Sequence, residues 1–245
     1  MPDNSESPKD SAEPQPNDSR PGDPKPVDQK PAENKPGDNK PADQKAKEDP
    51  RPTPEGEELF RRWLKYLDDE ITKHRKPALR AELVRDSLHQ LYLGRPHGGK
   101  LNTTLTSELS GNVLQMSLDS SNVLLEAESD PKVDMERYAE RKPLIYFWLM
   151  FDRSPVALNQ WLGCRFRAIL GKHIFKAIGK KVRIFRGVEF YYGYNVTIED
   201  DTTIEQYVTI DDREEITIPS GTTVPAYTVV NKEWKPGGKD EPGKK

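Results

Sequence analysis

Few side chains in this sequence have the chemistry to serve as nucleophile, base or metal ligand, and their placement narrows the options further. Cys164 is the only cysteine among 245 residues. A single cysteine excludes an internal disulfide and a thiolate metal cluster, and it fits a reducing compartment. With no triad pattern near it, Cys164 reads as a small packed hydrophobe. The four histidines are His74, His89, His97 and His173, and none lies between residues 178 and 230. Two adjacent acids, Asp211 and Asp212, do lie there. Carboxylates are weak bases near pH 7 unless burial raises their pKa, and such a pair in a turn is usually solvated. No P-loop, dinucleotide fingerprint or Ser-His-Asp order occurs.

The elements that must position these residues follow from the spacing of aliphatic side chains. From Ile178 the sequence reads in lines of twenty: IGKKVRIFRGVEFYYGYNVT, IEDDTTIEQYVTIDDREEIT and IPSGTTVPAYTVVNKEWKPG. Ile178, Ile198 and Ile218 head the lines. Six residues on come Ile184, Ile204 and Val224, and six further Phe190, Ile210 and Val230. A helix would repeat every three to four residues and a strand every two. A strict period of six that resets at twenty is that of a β-solenoid, with short strands on three sides and the leading aliphatics turned inward. The two extra residues in each line, around Asn195-Val196 and Glu215-Ile216, are absorbed at a corner. The expected fold class is mainly β: a short parallel β-solenoid over 178–231, preceded by an α-helical region and a disordered N-terminal tail.

The phrases IGKKVRIFRGVEFYYGYNVTIEDD, VTIDDREEITI and VPAYTVV resemble the hexapeptide-repeat acyltransferases, notably the maltose/galactoside type of O-acetyltransferase, over roughly residues 136–230. The resemblance implies a left-handed parallel β-helix, a homotrimer with sites between subunits, and acyl-CoA (acetyl-CoA) as co-substrate. It further implies transfer of the acyl group to a hydroxyl of a saccharide-type acceptor. Asp211 and Asp212 stand where the family places an acceptor-binding Asp pair, so they are the candidate substrate-binding residues. Where the family carries Asn before that pair, this chain has Glu205-Gln206-Tyr207. The family's catalytic His is absent, so the catalytic residue is unassigned. The opening coils run directly into the closing phrase VPAYTVV. Three coils stack to only about 14 Å at roughly 4.8 Å each, short for an extended coenzyme A arm. The alternative reading is a non-catalytic solenoid scaffold with a disordered interaction tail. A solenoid carbonic anhydrase is excluded, because it needs three coil histidines.

The rest of the chain falls into segments. Residues 1–54 hold thirteen of the 22 prolines and no aromatic residue. Lys-Pro pairs recur every five residues from Lys25, so disorder with polyproline character is expected. The region 55–135 opens with Thr53-Pro54-Glu55 as a helix start. Leu59, Phe60, Trp63, Leu64, Leu67 and Ile71 form one helical face. A second helix after Pro77 carries Leu79, Leu83, Val84, Leu88 and Leu91 and stops at Gly94, giving a helical hairpin. Residues 95–130 carry no clear pattern, and a short helix is expected from Met135.

Residues 136–177 read as basic amphipathic helices, and the resemblance implies that they cap the open end of the solenoid. No acid occurs between Asp152 and Glu189, whereas Arg153, Arg165, Arg167, Lys172, Lys176, Lys180, Lys181, Arg183 and Arg186 do. The stretch 153–186 is therefore a candidate surface for coenzyme A phosphates or for peripheral membrane contact. Nucleic acid is not an expected partner, since basic and stacking residues follow no known module. Tyr191, Tyr192, Tyr194 and Tyr207 are expected near the solenoid flanks, where self-association would cover them. Residues 232–245 read as a second disordered tail. Net charge is −3, MPDNSESPKD has no signal-peptide pattern, and a cytoplasmic setting is expected.

Overall fold

The computed structural model describes residues 51–99 and 106–237, all within the unit Lys47–Lys245. The tail expected over 1–54 therefore lies, up to residue 50, outside the described residues, as does the C-terminal tail from residue 238. Helix α1 (Pro54–Lys73) begins where the sequence directs: Thr53 Oγ1 accepts the Gly56 N–H at 3.2 Å, and Pro54 occupies the first turn. Helix α2 (Pro77–Leu93) ends on Gly94, whose φ of 65° allows the left-handed cap. Leu64, Leu67, Ile71, Val84 and Leu88 are buried, whereas Leu59 and Leu79 are exposed. The apolar stripes are thus narrower at their N-terminal ends than the spacing suggests. The principal partners of α1 and α2 are α6 and α5, rather than each other.

Helix α3 (Leu109–Ser117) and three short 3₁₀ turns occupy the stretch left unassigned by pattern, and α4 (Met135–Ala139) follows. Helices α5 (Lys142–Arg153) and α6 (Gln160–Ile174) form the layer that meets the strands. Its centre is aromatic. Phe147, Phe151 and Phe166 are fully buried, and the Trp63 ring stacks 5.7 Å from that of Phe166. No helix among the described residues is long and apolar enough to cross a membrane.

Nine strands of two or three residues follow: β1 (Ala177–Ile178), β2 (Arg183–Ile184), β3 (Glu189–Phe190), β4 (Val196–Ile198), β5 (Thr203–Ile204), β6 (Thr209–Ile210), β7 (Ile216–Ile218), β8 (Thr223–Val224) and β9 (Val229–Val230). They pair in parallel as three sheets, β1-β4-β7, β2-β5-β8 and β3-β6-β9. The strands are stacked in the manner of a solenoid. Register follows the lines of twenty: Ile178 lies beside Ile198 and Ile198 beside Ile218, Ile184 beside Ile204, and Ile204 beside Val224. Ile184, Ile198, Ile204, Ile210, Ile218 and Val224 are at most 1% exposed, whereas Ile178 is half-buried against the helices. A second inward set, Val188, Thr202 and Val208, precedes the leading aliphatics by two residues.

The corners share this periodicity. Positive φ recurs at Lys181, Asp201 and Gly221, and six residues later at Gly187, Tyr207 and Tyr227. Left-handed backbone costs a non-glycine residue about 1–2 kcal/mol, so the ladders on either side hold Lys181, Asp201, Tyr207 and Tyr227 there. Gly179 is required for a different reason. A Cβ at Gly179 would stand 2.5 Å from the backbone N of Asp200 in the coil below.

A stack of this kind has two open ends. At the upper end, carbonyls of the first coil accept from buried side chains of the helical layer: Arg167 Nη1 donates to Ile184 O at 3.2 Å and Trp148 Nε1 to Val188 O at 3.1 Å. At the lower end the sequence removes donors. The Gly179 and Glu199 N–H groups bond to the next coil, as do those of Phe185 and Glu205. The equivalent third-coil positions are Pro219 and Pro225, which have no N–H to offer. Trp234 packs against the core just beyond, so the folded chain runs past residue 231.

The expectation of a mainly β protein is corrected: 51% of the described residues are helical. The reason is geometric. Each side of the stack needs only two or three strand residues between corners, whereas the first coil needs a full helical layer to cover it.

Ile204→Asp places a charge in the stack interior and should abolish cooperative folding, because burying an unpaired carboxylate forfeits about 1.5–3 kcal/mol of burial and adds desolvation. Glu205→Ala should leave the melting temperature nearly unchanged; equal melting temperatures for the two variants would contradict the register. A pH dependence is also expected. Burial pushes the His89 and His173 imidazoles below their ordinary pKa. Below about pH 6.5 the unfolded chain takes up protons that the folded state resists. Stability should hold above that pH and fall as pH drops below it, and His89→Leu should flatten the fall.

Candidate functional site

The outward residues of β3 and β6 face the helical layer across a groove. Glu189 and Thr209 alternate with the inward Phe190 and Ile210, so the strand period sets them on the outer surface. Leu149 and Arg153 reach the same surface from the last turn of α5. These four residues line two adjoining hollows, of about 270 Å³ and about 410 Å³. The smaller hollow is walled by Leu124, Leu125, Ala127, Ile145 and Phe190. The larger is walled by Asp152, Arg186, Gly187 and Tyr207.

Charge in the larger hollow is unevenly satisfied. The Asp152 carboxylate is fully engaged, accepting from Arg167 Nε at 2.9 Å and from the Gly187 N–H at 2.9 Å. Arg186 Nη2 donates to Tyr207 Oη at 2.7 Å, and Arg153 Nη1 donates to the Leu149 carbonyl at 3.0 Å. Among the described residues neither guanidinium has a carboxylate partner, and no side-chain hydrogen bond engages Glu189. Tyr207 is fixed between Gly187, where a Cβ would lie 2.5 Å from its ring, and Tyr227, whose ring stacks 5.2 Å below. The 187, 207 and 227 positions are one corner repeated, and Tyr227 is 77% exposed.

The two aspartates singled out by sequence sit at a different corner and have different environments. Asp211 is half-buried and forms a two-pronged pair with Arg213, at 2.8 Å to Nε and 2.6 Å to Nη2. That bonding holds its carboxyl below the usual pKa. It faces an open, largely charged depression with Asp130, Lys132 and Glu214. Asp212 is wholly buried rather than solvated. Its Oδ1 accepts the Tyr191 N–H at 2.8 Å and the Tyr192 N–H at 3.0 Å, and its Oδ2 accepts the Gly193 N–H at 2.6 Å. Burial pushes its pKa up, and these amides pull the other way. Asp212 thus fixes the turn of the coil above, aided by Asn195 Nδ2, which donates to the Asp212 carbonyl at 2.9 Å.

The tyrosines of that turn follow. Tyr192 and Tyr194 are buried and stacked at 5.1 Å, not spread on a flank. The acid-free run 153–186 is likewise not one basic face. Arg167 is 1% exposed, and Lys172, Lys176 and Lys181 pair with Asp68, Glu215 and Asp201, which lie far away in sequence. His173, on α6, is 3.8 Å from Asp68. No group of three metal-ligating side chains occurs among the described residues. The sequence places Arg186 in the basic run and Tyr207 on a flank without joining them, and it passes over Glu189, although the inward register already assigns 189 to the outer surface.

Replacing Asp212 strands three buried amides, each costing about 1–3 kcal/mol. Asp212→Ala should therefore destabilise the fold by at least about 3 kcal/mol in denaturant titration. Asp211→Ala, which breaks a partly exposed ion pair, should cost under about 1 kcal/mol. Similar losses for both would contradict the structural role of Asp212.

Comparison of the chain with family models, with curated proteins and with solved structures gives no match.

Proposed function

We propose that this chain is an acyltransferase-like protein of the hexapeptide-repeat type, its three coils forming a short left-handed β-helix, and that it binds ligands without efficient acyl transfer. The hexad register, kept through all three parallel sheets, supports the fold part of this reading. The observation that carries the functional part is the saturation of Asp212. The carboxylate that would hold an acceptor hydroxyl is buried and fully occupied by amides. Acyl transfer to a hydroxyl needs a general base, which typically contributes 10²- to 10⁴-fold. The four histidines all lie outside the coils, and Asp211 is held ionised by Arg213.

The groove beside α5 supports a ligand-holding role for this stack, and the uncovered Tyr227 ring supports an assembly role. The resemblance to trimeric, acetyl-CoA-dependent enzymes acting on saccharides extends to a homotrimer in the cytoplasm. A second reading, retained O-acyltransferase activity, is favoured by one observation: the unengaged Glu189 carboxylate stands beside the Thr209 hydroxyl in that groove.

Thiol release from acetyl-coenzyme A in the presence of a panel of sugars decides between the two. Turnover well below about 1 s⁻¹ is expected. Turnover above that level, lost in Glu189→Gln and retained in Asp211→Asn, would establish the enzyme and place its base in the groove.

A further inference from the structure

We propose that the groove between α5 and the β3-β6 surface holds a phosphate-bearing amphiphile: a molecule with an aliphatic segment and a phosphate-type head that also carries an ammonium or hydroxyl donor. This deepens the ligand-holding part of the reading above. Three features of the groove carry it, and none involves Asp211, Asp212 or the histidines.

The first feature is an apolar wall in one of the two adjoining hollows and charge in the other. Leu125, Ala127, Ile145, Leu149 and Phe190 form an apolar wall of the smaller end, which Glu126, Tyr138 and Tyr191 complete, and Leu124, 74% exposed, also lines it. Water in contact with these side chains is released when an alkyl chain replaces it, which favours an aliphatic occupant. The second feature is the pair of guanidinium groups, Arg153 and Arg186, at the other end. The neighbouring Arg167 has a carboxylate partner, Asp152, whereas neither groove arginine has one among the described residues. Arg153 and Arg186 share a hollow with Asp152, yet that carboxylate is committed to Arg167 and Gly187. Guanidinium forks are suited to phosphate oxygens, and the Tyr207 hydroxyl, already oriented by Arg186, adds a polar group beside them.

The third feature is Glu189, which lines both hollows. A simple anion would be repelled by it. A head that pairs a phosphate with an ammonium or hydroxyl satisfies Glu189 and the two arginines together. Arg153 and Leu149 lie one helical turn apart on α5, so a single helix face presents cation and apolar wall in the order that such a molecule presents its head and chain.

The test is a calorimetric titration of the full chain with lysophosphatidylethanolamine below its micellar concentration. Controls are inorganic phosphate and a neutral monoacylglycerol of the same chain length. Saturable binding is expected for the lysophospholipid and at least roughly tenfold weaker binding for either control, since each lacks half of the recognised chemistry. Arg153→Ala and Arg186→Ala should each weaken binding by about tenfold, and Arg153→Lys should recover part of the loss. Both arginines reach solvent, and unchanged melting of the variants would show that folding is preserved. Co-flotation with phosphatidylethanolamine vesicles, lost in the two alanine variants, would assign the head to a membrane lipid. Binding of the monomer without vesicle flotation would assign it to a free amphiphile. Either outcome supports the site. No saturable binding, or binding unaffected by both arginine variants, or neutral amphiphile bound as tightly, would overturn it. Acetyl-coenzyme A turnover is a separate readout: its detection would sink the non-catalytic reading and leave this titration unaffected.

Discussion

A stack of parallel strands that ends against apolar side chains leaves its last carbonyls or amides unpaired unless polar groups meet them. At the upper end that constraint is met by one buried ion pair. Arg167, 1% exposed, joins Asp152 on α5 to the Ile184 carbonyl of the first coil, and Asp152 in turn accepts the Gly187 N–H at the next corner. Three hydrogen-bonding groups, one on α5 and two on the first coil, therefore depend on one guanidinium. The helix accommodates it: a Cβ at Gly163 would sit 2.9 Å from Arg167 Nη1. A buried charge pair is costly to desolvate, and it persists where every remaining donor and acceptor is matched. Here the pair also sets which way α5 and α6 lie, and with them the groove beside Glu189.

The same logic runs down the stack. Each coil is fixed from below by side chains of the next, as Asp212 fixes the Tyr191–Gly193 turn and as Asp200 Oδ1 accepts the Lys180 N–H at 2.7 Å. The last coil has none beneath it, and there Pro219 and Pro225 replace the residues whose N–H groups would reach onward. The functional consequence is that conspicuous polar residues of the coils serve as struts. Glu189, Arg153 and Arg186, which have no charge partner among the described residues, gather on a surface where the helical layer overhangs the strands.

The stack itself was legible because its signal is repetitive: a six-residue period reset at twenty specifies both the inward aliphatics and the corners between them. Helix limits at Thr53-Pro54 and Gly94 were legible for local reasons of capping. The helical share was underestimated because residues 106–129 fold into short turns and one helix without amphipathic pattern, held by contacts distant in sequence, such as the Lys142 bond to Glu128. The candidate site was hardest to read. Asp211 and Asp212 are neighbours in sequence, yet alternation sends one outward and one inward, and only the three-dimensional turn shows amides closing on the second. Likewise the basic run 153–186 loses its apparent unity once Asp68, Asp201 and Glu215 arrive from other elements.

The central claim is that the helical layer and the strand stack fold as one unit locked by Arg167. Its most direct test is hydrogen exchange combined with denaturant unfolding of Arg167→Ala. Removing one partner of a buried pair costs about 3–5 kcal/mol. The account predicts a loss of that size, with amides of α5, α6 and all three coils losing protection together in one transition. A loss under about 1 kcal/mol, or coils that keep their protection while the helices exchange freely, would contradict it.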